Sequence, residues 1–71
     1  MTIEQHEHAG EILELRKWAL RNVVSYTESS NGFWANEYPP AKKRYLHKAE
    51  ISQMAADRIY ESYKKYILKH L

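Results

Sequence analysis

Apolar side chains recur every three to four positions along two stretches of this chain, with a short interruption between them. In residues 50–71 and the turn before them, about 100° per residue places Tyr45, Ser52, Ala56, Ile59, Tyr60, Tyr63, Tyr66 and Ile67 on one side. Asp57, Glu61, Lys64 and Lys65 fall on the other side. This is a helical period. Small residues (Ala49, Ser52, Ala55, Ala56) share the side with the rings, so a neighbouring helix can approach closely and be flanked by tyrosines.

The first stretch opens with Thr2 and Gln5, the spacing of a capping box. Glu4, Glu7, Glu11 and Glu14 precede Arg16, Lys17 and Arg21, the order of signs that a helix dipole favours. A helix from about residue 2 to about residue 29 is expected, with a short separate N-terminal helix before Gly10 as the alternative. On it Ala9, Ile12, Leu13, Leu15, Ala19, Leu20, Val23, Val24 and Tyr26 cover about half the circumference. One neighbouring helix cannot cover so wide an arc. The remainder calls for a third helix, most simply from a second copy.

Ser29-Ser30-Asn31-Gly32 reads as a stop, with Asn31 or Gly32 suited to the left-handed conformation that ends many helices. An aromatic loop of about residues 30–39 should follow, carrying Phe33, Trp34 and Tyr38. Those rings either fold back over the end of the core or face a partner. Pro39 and Pro40 pre-set the first turn of a second helix over about residues 40–71. The fold class is therefore all-α: an antiparallel hairpin of two long helices, expected to assemble as a homodimeric four-helix bundle. Level positions should include Glu14 beside Ala56 and Glu7 beside Tyr63. Glu4, Glu7 and Glu11 would then lie near Lys64, Lys65 and Lys69.

With 71 residues there is room for one domain, and so short a chain struggles to bury enough surface to offset its ordering entropy. The absence of cysteine excludes disulfides and zinc–thiolate sites. No apolar run reaches the length of a membrane span, and the polar start is unlike a signal peptide, so a cytoplasmic setting without a membrane is expected. Net charge is +2, yet residues 1–40 hold three basic and six acidic side chains against eight and three in residues 41–71. Complementary halves favour pairing within or between chains more directly than DNA binding.

Several residues break these patterns. Arg16 projects from the apolar arc, either snorkelling to its edge or pairing with Glu50 or Asp57 to fix register. Trp18 stands on the polar side, where Leu15, Trp18, Asn22 and Tyr26 make a narrower strip able to hold a protein partner together with Phe33, Trp34 and Tyr38. Lys42, Lys43 and Arg44 oppose the dipole of their own helix. With Arg21 they form a candidate site for nucleic acid or another anion beside the aromatics. Arg16, Leu20, Val23, Ala56, Ile59, Tyr60, Tyr63, Tyr66 and Ile67 are the candidates for an oligomer interface or for setting register.

Chemical signatures are missing. His6 and His8 diverge on a helix, and no histidine pair has the i, i+4 spacing of a chelate, although His8 and Glu4 do. There is no glycine-rich loop, no cysteine nucleophile and no serine–histidine arrangement, so neither an enzyme nor a cofactor, metal or small-molecule substrate is expected. The expectation is a small adaptor, inhibitor or regulator that self-associates and binds a protein. A nucleic-acid-binding regulator and a purely structural assembly protein are the alternatives. Size and build are in the style of accessory proteins of phages and mobile elements, without a motif to carry it.

Overall fold

The computed structural model describes all 71 residues and holds three helices: α1 (Ile3–Ser30), α2 (Phe33–Glu37) and α3 (Pro39–His70). The long helices α1 and α3 pack against each other as an all-α hairpin, and α2 forms its tip. The rod measures 53 × 15 × 9 Å. Its radius of gyration is 16.1 Å, against about 11 Å for a compact domain of this length.

The capping box forms: the Gln5 backbone N–H donates to Thr2 Oγ1 at 3.1 Å and the Thr2 N–H donates to Gln5 Oε1 at 2.8 Å. From there α1 runs unbroken through Gly10, so no separate N-terminal helix exists. One glycine costs about 1 kcal/mol, which the flanking turns of a long helix absorb.

The exit of α1 departs from expectation. No residue has a positive φ. Instead the last turn tightens, with the Asn31 N–H donating to the Glu28 carbonyl and the Gly32 N–H to that of Ser29, both at 3.1 Å. Gly32 is then extended (φ −72°, ψ 160°) and starts α2 directly. The expected aromatic loop is thus largely one helical turn, closed by the Asn36 N–H on the Gly32 carbonyl. Tyr38 is extended (φ −129°, ψ 91°), as a residue before proline must be. Pro39 and Pro40 occupy the first turn of α3, where a missing N–H costs nothing.

Between the long helices runs a seam with alternating steps of three and four. On α1 it comprises Ala9, Ile12, Arg16, Ala19, Val23, Tyr26 and Ser30; on α3 it comprises Ala49, Ser52, Ala56, Ile59, Tyr63 and Tyr66. The fully buried residues of the chain are only Ala9, Ser30, Ala35, Ala41, Ala49 and Ala56. Small residues let the backbones come close, and the larger seam residues stay half-buried at the margins.

The register is slipped by about one helical turn from the expected one. Gln5 Nε2 lies 2.9 Å from His70 Nδ1, the His8 ring 4.7 Å from Tyr66, the Arg16 guanidinium 4.6 Å from the Tyr60 ring, and Lys48 Nζ 5.7 Å from that of Tyr26. Glu14 and Glu7 therefore sit opposite residues beyond Ala56 and Tyr63. At the far end Glu11 lies about level with Lys64 and Glu7 with Lys69, but no ion pair joins the two helices there. The ion pairs are Lys17–Glu14 and Lys64–Glu61, and His8 Nδ1 approaches Glu11 at 3.7 Å, each pair three residues apart within one helix. Alanine at the seam and charges on the outer faces leave no bridge between α1 and α3.

Candidate interaction surfaces

Each residue following the seam by one position lies on one flank of the hairpin, and each residue preceding it lies on the other. On the following flank α1 presents Gly10, Leu13, Lys17, Leu20 and Val24, a second set of alternating three- and four-residue steps. From α3 the same flank receives Leu46, Glu50, Gln53, Asp57, Tyr60, Lys64 and Ile67. Val24 is 57% exposed and Leu46 and Tyr60 are exposed, while Leu13, Leu20 and Ile67 are half-buried. A groove of about 390 Å³ runs along α1 here, lined by Lys17, Leu20, Arg21, Val24, Ser25 and Glu28. Gly10 opens a notch on this flank, because a Cβ built there meets nothing within 4 Å.

The preceding flank carries Leu15, Trp18 and Asn22 from α1 and Ile51 from α3. Trp18 is 60% exposed and Leu15 and Ile51 are also open. The Arg21 guanidinium covers the Trp18 ring at 5.2 Å. Tyr26, the fourth member of the expected strip, turns into the seam and is half-buried.

At the tip the aromatic residues do not fold back over the core. Phe33 is 81% exposed, and Trp34 and Tyr38 are also open. Ala35, almost fully buried, is the α2 residue that docks against the long helices. A methyl group is what so narrow a seam admits; the rings are left outside. Trp34 and Tyr38 pack together at 5.8 Å, and a hollow of about 110 Å³ is lined by Trp34, Ala41, Arg44, Tyr45 and Lys48. Lys42 Nζ donates to Asn36 Oδ1 at 3.3 Å; Lys43 and Arg44 are exposed and form no ion pair.

Two expected groupings are corrected. Arg21 does not join Lys42, Lys43 and Arg44, since it lies nine residues before the end of α1, roughly 14 Å along the axis. Lys48, one turn after Arg44, takes its place at the tip; the i, i+4 spacing was the available signal. Arg16 pairs with neither Glu50 nor Asp57. Both acids are exposed, and Asp57 accepts a hydrogen bond from Gln53 at 3.0 Å. Arg16 instead lays its guanidinium on Tyr60, leaving its Nε buried without a hydrogen-bond partner.

Tyr60 also holds a second cation, Lys64 Nζ, 5.2 Å from its ring centre. The hydrogen bond from Lys64 to Glu61, at 2.9 Å, and the Glu61 charge raise the lysine pKa above its usual 10.5. Of the remaining interface or register candidates, Val23, Ala56, Ile59, Tyr63 and Tyr66 are taken up by the seam within the chain. Leu20, Tyr60 and Ile67 lie outside it on the following flank.

No helix is long and apolar enough to cross a membrane. Comparison with protein-family models, curated proteins and solved structures gives no match.

Proposed function

We propose that this chain is a small non-enzymatic adaptor, inhibitor or regulator that self-associates and holds a protein partner. The observation that carries the reading is the inversion of its residue sizes. The fully covered positions of the seam are alanine and serine, its larger residues are only half-buried, and large apolar side chains stand in solvent on both flanks.

The surface area supports this. The chain exposes 5559 Å² at 8.5 kDa. A monomer of that mass exposes ~4,700 Å², leaving an excess of roughly 900 Å². A standard interface covers about 800 Å² per partner. The Leu13–Leu20–Val24 flank suits a second copy, because its apolar residues repeat along both helices. The Leu15–Trp18 flank, narrower and crowned by Arg21, suits a different protein.

Two substitutions at exposed positions separate the roles. Val24→Arg should abolish self-association, read as mass by sedimentation, and leave helicity unchanged. Trp18→Ala should leave the mass unchanged and abolish capture of the protein partner. A well-folded wild-type chain that stays monomeric at high micromolar concentration contradicts the self-association reading. Capture unaffected by Trp18→Ala moves the partner surface elsewhere.

A second reading, nucleic-acid binding, draws on the tip, where Lys42, Lys43, Arg44 and Lys48 surround Trp34 and Tyr38. It requires retention on single-stranded nucleic acid that falls steeply with salt and is lost on Lys43→Glu with Arg44→Glu. Retention that ignores salt removes it.

A further inference from the structure

We infer that two copies of this chain pair with their tips at the same end, α1 of each lying on α3 of the other across the Leu13–Leu20–Val24 flank. This rests on the self-association proposed above and specifies its geometry.

At the middle of this flank the charges are sorted by helix; toward its ends the signs mix, with Glu28 in the α1 groove and Lys64, which follows Tyr63, on α3. Midway along, α1 contributes Lys17 and, on the rim of the groove, Arg21, whereas α3 contributes Glu50 and Asp57. Two symmetric arrangements can cover the flank. With tips at opposite ends, each helix meets its own counterpart, setting lysine and arginine against lysine and arginine, and acid against acid. With tips together, α1 meets α3 and opposite charges face each other.

The second arrangement has no adjustable register. A two-fold axis along the rod preserves height, so residues level within one chain are level across the pair. The contacts Arg16–Tyr60 and Tyr26–Lys48 fix those heights. They set Lys17 level with Asp57 of the partner subunit, and Arg21 about one turn from the partner's Glu50. Within one chain neither lysine nor arginine makes these pairs: Lys17 reaches only Glu14, at 3.8 Å on the exposed surface, and Arg21 stacks on Trp18. Gly10 fits the same scheme. It weakens α1, opens onto empty space, and lies in the second stripe, where it admits the close approach of a neighbouring helix.

The chain has no cysteine, so a single Glu37→Cys at the exposed end of α2 can carry a spin label. In the self-associated protein the two labels should lie within roughly 25 Å, about two helix diameters. A separation near the 53 Å length of the rod overturns the inference and leaves self-association standing. A monomer overturns both. Lys17→Glu and Asp57→Lys should each weaken self-association about tenfold with helicity unchanged. Mixed together, the two variants should restore it, because each then supplies what the other lacks. Unimpaired single variants, or a mixture that stays impaired, contradict the pairing.

Discussion

Between α1 and α3 only small side chains are fully covered; one position further round the same helices stand large ones, half-buried or wet. Ala56 is wholly buried while Val24 stands mostly in solvent. A self-sufficient domain places its residues the other way. The contrast separates two tasks: alanine and serine set how closely and in what register the helices lie, and leucine, valine and the aromatic rings remain available to something else. Burying a methyl group removes little apolar area, so the seam specifies the hairpin more than it stabilises it.

The sharpest way to break the contrast is to put a large residue in the seam. Ala56→Leu should force the helices apart and cost about 2–3 kcal/mol, lowering the midpoint of a circular-dichroism melt by many degrees. An unchanged melt would show that the seam is looser than its burial implies. Gly10→Ala should act in the opposite sense: with open space around the new methyl, helix propensity predicts a gain of about 1 kcal/mol in the isolated hairpin. In the assembled protein the gain should shrink if a neighbour occupies the notch, so melts at low and high concentration will differ.

Arg16→Met sharpens the seam from within. It removes a buried Nε that has no hydrogen-bond partner and also the stacking on Tyr60. The two terms oppose, and urea titration should show stability unchanged or raised by up to about 1 kcal/mol. A loss above 2 kcal/mol would mean that the guanidinium holds the helices together.

The smallest effect belongs to Lys64, exposed near the far end of the Leu13–Leu20–Val24 flank. Its raised pKa favours the folded state below the usual lysine value and ceases to do so as pH climbs through the raised one. Glu61→Gln should return it to the ordinary range in an NMR titration without moving the melt at neutral pH.

Much of this was legible in the sequence. The hairpin followed from the two helical periods, the capping box from Thr2 and Gln5, and the start of α3 from Pro39 and Pro40. The register was not legible, because the length of the connection depended on whether residues 33–37 coil or turn. One helical turn there shifts every level across the hairpin. The fate of the tip rings was hidden for a related reason: periodicity marks which residues are apolar, whereas the size of the available space decides which are covered, and here it admitted Ala35 alone. The pairing of Arg16 failed because an aromatic face at the right height competes with a carboxylate, and composition does not rank them.

The central claim is that the hairpin depends on a second copy to cover what its own seam leaves open. It is tested most directly by melting the wild-type protein at concentrations spanning two decades. Coupled folding and association predict a midpoint that rises by roughly 3–6 °C per decade. A midpoint independent of concentration, with a mass of 8.5 kDa throughout, would contradict it.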